Sequence, residues 1–145
     1  MVMFNGEYRH NLDAKNRLII PSRFRSQITG ILHVTEWFEG CLAAFDEPEW
    51  NELNEKLAKL PFTDKKARAL TRLINGKAIE CEIDGQGRIL LPQFQLKDAG
   101  FDKACALVGA SGHFEIWPEQ KYDEYMDRSA VSLEDIAEDL TDLLS

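Results

Sequence analysis

Two nearly identical nine-residue segments carry the side chains best suited to chemistry in this sequence. They read DAKNRLIIP at 13–21 and DGQGRILLP at 84–92, and each places an aspartate four residues before an arginine. An arginine fixed on a tight hairpin can donate two parallel hydrogen bonds to a guanine edge or to a phosphate. Lys15, which only the first segment contains, suits phosphate contact. The spacing therefore indicates nucleic-acid recognition by Arg17 and makes Arg88 a second candidate.

The aspartates offer a structural alternative. Asp13 and Asp84 can accept hydrogen bonds from backbone amides two or three residues later and so close an Asx-type turn. Asn16 and Gly87, just before each arginine, are residue types that tolerate the positive φ of a tight hairpin. Each arginine could then simply pair with its own aspartate. We favour DNA contact for the first arginine, which has a lysine two residues away, and a structural role for the second arginine and for both aspartates.

Further basic side chains lie near the first turn and on a downstream helix. Three near the turn are DNA-binding candidates. The two that follow Pro21 could contact phosphate or cross a subunit interface to acidic groups, and the sequence leaves both open. For the helical face we favour exposure to solvent or ion pairing. The residues are Arg9, Arg23 and Arg25 near the turn, and Lys65, Arg68 and Arg72 on the helix.

The duplication extends beyond the nine residues and predicts the elements that position them. Each copy is typical of a strand, the turn, a second strand, a short helical piece, a hairpin and a longer helix. The apolar triplet after each arginine, LII or ILL, is expected to point into the core. An isolated hairpin of this size is only marginally stable in water. We therefore expect a mixed α+β, β-rich fold in which the two repeats complete one small β-barrel, flanked by helices.

Three helical segments have an apolar stripe on one side. Asp46 is expected to cap the first, the second runs from Asp64, and Ser132 is expected to cap the third, whose opposite face is acidic. We expect each stripe to be buried in the core or against another subunit, without any ligand. The stripes are Trp50, Leu53, Leu57 and Leu60; Ala67, Leu70 and Ile74; and Leu133, Ile136, Leu140 and Leu143.

The net charge of −8 is distributed unevenly along the chain. Residues 1–76 hold 11 Lys and Arg against 10 Asp and Glu, a net charge of +1, whereas residues 77–145 hold 6 against 15, a net charge of −9. Because the local field decides what a surface attracts, the acidic total does not exclude DNA binding by the basic beginning. The acidic C-terminal helix is expected to lie away from DNA.

Other function classes lack their sequence signatures. Cys41, Cys81 and Cys105 are far apart, with no histidine at ligand spacing, so we expect buried reduced thiols and neither metal nor cofactor. The sequence has no GxSxG, HExxH or P-loop motif, so we expect neither an enzyme nor a small-molecule substrate. No apolar run approaches the roughly 20 residues that cross a bilayer, and no secretory signal is present. These features favour a cytoplasmic protein without membrane contact.

Three stretches together resemble the MraZ family of bacterial transcriptional regulators. They are MFNGEYRHNLDAKNRLIIPSRFR at 3–25, GKAIECEIDGQGRILLP at 76–92 and LVGASGHFEIW at 107–117. Two DxxxR turns, each followed by an apolar triplet and a proline, make the signature specific. The family usually has glycine before the first arginine, where this chain has Asn16. Since asparagine also enters the left-handed region, we expect the turn to keep its shape.

The resemblance implies an AbrB-type swapped-hairpin barrel with both hairpin units fused in one chain. It also implies sequence-specific binding to tandem repeats of double-stranded promoter DNA, in the division and cell-wall gene cluster that includes its own operon. A ring-shaped homo-oligomer associated with the nucleoid would display the basic turns on one rim. The implied segments are a SpoVT-AbrB-like repeat at 7–50, linking helices at 51–77, a second such repeat at 78–121 and an acidic helical tail at 122–145.

A second hypothesis is an antitoxin-like protein-interaction module whose DNA contact is secondary. The charge of −9 on the second half and the acidic C-terminal helix favour it. Loss of promoter binding on substitution of Arg17 would favour the regulator instead.

Overall fold

The computed structural model describes residues 2–128 and 132–144. Residues 129–131 and 145, which the sequence assigns to the acidic tail, lie outside the described residues. The strands are β1 Glu7–Asn11, β2 Arg17–Ile19, β3 Leu32–Glu36, β4 Leu42–Phe45, β5 Ile79–Cys81, β6 Arg88–Leu90, β7 Ala104–Gly109 and β8 Phe114–Pro118. The helices are α1 Ser22–Arg25, α2 Glu47–Ala58, α3 Lys65–Gly76, α4 Gln93–Ala99, α5 Glu119–Arg128, α6 Leu133–Asp139 and α7 Thr141–Leu144.

The two repeats exchange strands. A six-stranded antiparallel sheet has the order β1-β7-β8-β4-β3-β5, and β2 and β6 form a separate two-stranded ribbon. The first strand of each repeat pairs with the third strand of the other, β1 with β7 and β5 with β3. Neither repeat therefore completes its sheet alone, which confirms the mixed α+β fold of two interlocked repeats. Closure into a barrel and the four segment bounds remain predictions.

An aromatic cluster joins the first turn to the sheet. Phe24 of α1, three residues after Pro21, is fully buried and stacks on Phe114 of β8 with ring centroids 4.8 Å apart. Phe4 meets both rings edge-on at 5.3 Å. Because these rings come from both repeats, the core holds the short helix after the turn against the shared sheet. Removing a buried phenylalanine ring of this kind costs about 3–5 kcal/mol.

The two central helices begin as the sequence predicts. Asp46 caps α2 by accepting a hydrogen bond from the Glu49 amide, and Asp64 caps α3 by accepting from the Lys66 amide. Their stripes are only partly covered, because Leu57 and Ile74 are buried whereas Leu60 is 38% exposed. The predicted cap at Asp46 and the predicted start of the second helix near Asp64 are confirmed, and the incomplete cover leaves an apolar groove between the two helices.

The acidic C-terminal segment departs from the expected packing in the core. Ser132 caps α6 by accepting from the Asp135 amide, as predicted. The apolar stripe is nevertheless uncovered, with Leu133 83% and Leu143 81% exposed. One copy of the chain therefore does not bury this stripe in its core, because periodicity shows that one helical face is apolar but not which surface covers it. Packing against another subunit, the alternative for such stripes, remains open.

The three cysteines are buried and outside any disulfide, which confirms the predicted reduced thiols. Burial raises the pKa of Cys81 and of Cys105 to about 12, so both thiols stay protonated and weakly reactive at neutral pH. Among the described residues, no group of three or more His, Cys, Asp or Glu is placed to hold a metal ion. In the same residues, no helix combines the length and the apolar character needed to span a bilayer.

Candidate nucleic-acid interface

The ribbon formed by β2 and β6 brings the two duplicated turns together. Its strands run antiparallel with Arg17 opposite Leu90 and Ile19 opposite Arg88. Each turn lies just before one of these strands, so the two turns meet the ribbon at its opposite ends. The strands pair over three residues, so the two arginines are separated by only about 7 Å along the strand direction. The two arginines, 71 positions apart in the sequence, thus lie on one surface.

The first turn is closed by its aspartate. Asp13 Oδ1 accepts hydrogen bonds from the amides of Lys15 and Arg17, both at 2.9 Å, and Oδ2 accepts from Arg17 Nε at 2.7 Å. The Asn16 amide donates to the Asp13 carbonyl at 3.0 Å. Asn16 has a φ of 61°, within the left-handed region that asparagine tolerates. The turn therefore keeps its shape without glycine at this position.

The second turn repeats these bonds almost atom for atom. Asp84 Oδ1 accepts from the amides of Gln86 and Arg88 at 2.9 Å, and Oδ2 accepts from Arg88 Nε at 2.9 Å. The Gly87 amide donates to the Asp84 carbonyl at 3.0 Å, and Gly87 has a φ of 80°. The repeated letters D, R and the left-handed residue between them thus correspond to one repeated set of hydrogen bonds.

Both aspartates are held in their ionised form. The pKa of Asp13 lies below its usual 3.8, chiefly because the Arg17 amide donates to the carboxylate, and the Arg17 guanidinium and Lys15 amide add to the effect. The pKa of Asp84 is lowered in the same way, chiefly by the Arg88 amide. At neutral pH each turn therefore contains a fixed carboxylate that orients its arginine.

The arginines are anchored at Nε, which leaves their outer nitrogens for another partner. In the described residues, neither terminal nitrogen of Arg17 donates a hydrogen bond, and the side chain is 32% exposed. Arg88 is less available, because its Nη1 also lies 3.7 Å from Asp13 Oδ2 and the side chain is 23% exposed. Pairing with aspartate and binding a ligand are thus compatible, because they use different edges of the guanidinium.

Two aliphatic side chains share the outer face of the ribbon with these arginines. Ile19 is 43% exposed and Leu90 is 60% exposed, whereas Leu18 and Ile89 between them and the arginines are buried. The expectation that both apolar triplets point inward is therefore wrong for their central residues. Strand alternation explains the difference, since successive side chains point to opposite faces. Applying that alternation to each triplet would identify Ile19 and Leu90 from the sequence.

Each turn rests against the short helix of the other repeat. At the first turn, Asn16 Nδ2 donates to Gln93 Oε1 of α4 at 3.1 Å. At the second, the Arg25 guanidinium of α1 lies so close to Gly87 that any side chain there would overlap it. Arg25 Nε is buried and has no hydrogen-bond partner among the described residues. The sequence makes Arg25 a candidate but does not reveal its contact with the second turn.

The remaining candidates lie apart from the turns or at their margin. Arg9 belongs to an acidic group on α5 and β1, with Glu7 at 2.6 Å, Asp123 at 3.0 Å and Glu119 at 3.6 Å. The hydrogen bonds that Arg9 donates to Asp123 and Glu7 raise the pKa of Arg9. Arg23 is exposed on α1, two residues before Arg25. The structure therefore brings Lys15, Arg17, Arg25 and Arg88 together and ties Arg9 to another surface.

Comparison with known proteins identifies the family. The model of the family described as "MraZ protein, putative antitoxin-like" matches twice, at residues 3–73 and 74–144. A protein of Lactobacillus delbrueckii subsp. bulgaricus named "Transcriptional regulator MraZ" is 48% identical over 97% of this chain and 99% of its own length. Proteins of the same name from Ligilactobacillus salivarius and Desulforamulus reducens are 46% and 44% identical, covering 97% and 98% of this chain and 98% and 100% of their own lengths. Together with the two interlocked repeats, these matches show that the chain belongs to the MraZ family.

Proposed function

We propose that this protein is a transcriptional regulator that binds double-stranded DNA through the ribbon and its two turns. The observation that carries the proposal is the pair of arginines on one exposed ribbon face, each fixed at Nε by its own aspartate. The relatives' name, transcriptional regulator, supports the same activity. Preorganised guanidinium groups lose little freedom on binding, which favours recognition of fixed acceptors.

The ribbon surface has the charge and shape that a DNA groove requires. A two-stranded β-ribbon fits the major groove, where arginine can bind guanine O6 and N7 and aliphatic side chains can contact the thymine methyl group. Ile19 and Leu90, exposed beside the arginines, suit the second role. The turns and α1 hold five cations against two carboxylates, in a protein with a net charge of −8. The cations are Lys15, Arg17, Arg23, Arg25 and Arg88, and the carboxylates are Asp13 and Asp84.

We assign different tasks to the cations. Arg17 reads base edges, because its outer nitrogens donate no hydrogen bond in the described residues. Lys15 and Arg23 are exposed and bind phosphates, which positions the ribbon without reading sequence. Arg88 and Arg25 add positive charge at the second turn. Arg9 would have to leave three carboxylates to reach DNA, so it contributes least.

Self-association completes the proposal. One ribbon neutralises only a few phosphates, and binding of that kind is weak at physiological salt. A ring of several copies would present many ribbons to tandem promoter repeats, and linked sites gain affinity through effective concentration. We extend the proposal, on the resemblance, to the promoter of the division and cell-wall gene cluster, including this protein's own operon, and to association with the nucleoid.

The test is a binding titration on DNA from upstream of the protein's own operon. Arg17→Ala is expected to lose roughly 10- to 100-fold in affinity, which lies within the range of about 1–3 kcal/mol for one bidentate arginine contact. Lys56→Ala, at an exposed position of α2, which packs on β3 and β4, serves as the control and is expected to bind like the wild type. Equal binding by the wild type and Arg17→Ala would remove the proposed site.

Two observations favour a second candidate, a protein-interaction module. The family description includes the term antitoxin-like, and residues 77–145 carry a net charge of −9. In that case the wild type would bind promoter DNA no better than unrelated DNA of equal length, and a protein partner would be retained by the acidic half.

A further inference from the structure

The groove between α2 and α3 is an apolar surface that the proposed DNA contact does not use. It has a volume of about 650 Å³, and its lining includes Leu57, Leu60 and Phe62. Phe62 is 83% exposed and Leu60 is 38% exposed, so one copy of the chain leaves this surface open to solvent. Clustered exposed apolar side chains mark sites of interaction.

The rim of the groove is positively charged. Arg68 and Arg72 line it, and Lys65 and Lys66 lie in the first turn of the same helix. Among the described residues, no ion pair involves any of these four side chains. Arg68 Nη1 donates to the Phe62 carbonyl at 2.8 Å, which is neutral and leaves the charge uncompensated. The groove therefore fits an apolar segment with acidic flanks.

The chain contains a segment of that character in α6 and α7. Its apolar side chains are 40% to 83% exposed, and acidic residues lie between them in the sequence. The segment consists of two short helices that meet at Leu140. The apolar residues are Leu133, Ile136, Leu140 and Leu143, and the acidic ones include Glu134, Asp135, Glu138 and Asp139.

We infer that the groove between α2 and α3 receives the α6–α7 segment of a second copy of this chain. Both surfaces are uncovered within one folded copy, and their charges are opposite. Docking would bury the two apolar surfaces together and place the acidic side chains beside Arg68 and Arg72. The inference deepens the self-association in the proposed function and rests on it.

This contact also accounts for the form of the assembly. A groove on one copy and a tail on the next make a heterologous interface, because different surfaces of the two copies meet. Such an interface repeats from subunit to subunit and produces a ring when the rotation closes. The tail would then lie at the junction between subunits, and its negative charge would be neutralised there rather than left near DNA.

Charge reversal on each side tests the contact. Arg68→Glu with Arg72→Glu, and separately Glu134→Arg with Glu138→Arg, are expected to reduce the molar mass from light scattering to half of the wild-type value or less. The four substitutions combined are expected to restore the larger assembly. Lys97→Glu with Lys103→Glu, two exposed lysines outside the groove, is the matched control and keeps the wild-type mass. All six positions are exposed, and circular dichroism checks that each variant folds.

A disulfide test distinguishes a second copy from the same chain. Two differently tagged copies are co-expressed, one with Glu138→Cys and the other with Arg72→Cys. A disulfide joining the two tags supports the inference, whereas a disulfide that forms only when both cysteines are in one chain overturns it. The inference is also overturned if the wild-type protein is monomeric. It is overturned as well if the variant with Arg68→Glu and Arg72→Glu, here called the reversed-groove protein, keeps the wild-type mass. Retained mass with impaired DNA binding would make α3 a DNA surface instead.

The docking of the tail and the proposed DNA contact can be tested independently of each other. Arg17→Ala is expected to lose DNA affinity while keeping the wild-type mass. If Arg17→Ala binds DNA normally and the reversed-groove protein dissociates, the docking of the tail stands and the proposed DNA site fails. If Arg17→Ala loses DNA binding and the reversed-groove protein keeps its mass, the opposite holds.

Discussion

The first and second turns share one design and differ in what surrounds it. In each, an aspartate binds two backbone amides and the Nε of an arginine. The first turn adds a cation of its own, Lys15, whereas the second has Gln86 at that position and receives Arg25 from the other repeat. The duplication therefore sets the shape of both turns, whereas the added positive charge comes from the turn itself in the first and from the other repeat in the second.

The residues before the two arginines show how this difference is accommodated. Asn16 has room for a side chain, which donates to Gln93. Gly87 has none, because the Arg25 guanidinium occupies the space beside it. The second repeat has the buried Leu96 where the first has Arg25, 71 positions earlier. At these positions the repeats differ where one repeat contacts the other.

Removing each arginine separately is expected to give the largest difference between the two turns. Arg17→Ala is expected to lower affinity for promoter DNA roughly 10- to 100-fold, since its outer nitrogens are available for a base edge. Arg88→Ala is expected to cost several times less, because Arg88 is also held near Asp13. Fluorescence anisotropy at fixed salt measures both. A larger loss for Arg88→Ala would reverse the assigned roles.

Exchanging the left-handed residues tests the space around each turn. Gly87→Asn is expected to lower the free energy of unfolding by about 1 kcal/mol, the low end for overpacking, because the Arg25 side chain can move aside. Adding Arg25→Ala should recover most of that loss, which a double-mutant cycle in urea denaturation measures. Asn16→Gly, the control, is expected to cost less than about 1 kcal/mol. Equal losses from Gly87→Asn with and without Arg25 would contradict the packing.

Removing the lysine of the first turn, or adding one to the second turn, tests whether these positions contact phosphate. Lys15→Ala is expected to reduce the slope of log affinity against log salt by about 0.9 for each phosphate that the variant ribbon no longer neutralises. Gln86→Lys, which gives the second turn the lysine of the first, is expected to steepen it by a similar amount. Titrations at several salt concentrations measure the slopes. Unchanged slopes in both variants would mean that neither position meets a phosphate.

Lowering the pH is expected to have the smallest effect on stability, and the effect is expected to be similar at the two turns. Because hydrogen bonds lower the pKa of Asp13 and Asp84 below 3.8, their contribution to stability is present above that pH and is lost as the pH falls through the lower native value. The wild type is expected to lose stability between about pH 4 and pH 2 more steeply than Asp13→Asn with Asp84→Asn. Urea denaturation across that range measures it. Identical curves would show that the carboxylates contribute nothing to folding.

The features predictable from the sequence are local ones. The caps at Asp46 and Ser132, the strands and the repeat itself follow from residue types and spacing within a few positions. The contacts between repeats are not predictable in this way. Arg25 meets Gly87 because β1 and β2 pair with strands of the other repeat, and that pairing joins residues more than 60 positions apart.

An apolar residue type alone predicts burial poorly, and the reasons are physical. Ile19 and Leu90 belong to apolar triplets, yet strand alternation turns their side chains outward. Leu133 and Leu143 belong to a regular apolar stripe, but periodicity does not show what the stripe contacts. In both regions an apolar residue type is a poor guide to burial. The structure instead places these side chains where a partner can reach them.

Site-specific photo-crosslinking tests most directly whether the ribbon is the surface that meets DNA. Leu90 is replaced by p-benzoylphenylalanine, and Phe62 in the groove is replaced in a parallel variant as the comparison site. On irradiation with promoter DNA, position 90 is expected to crosslink to DNA and position 62 to a second copy of the protein. Crosslinking of position 90 to protein, with no DNA adduct, would contradict the account.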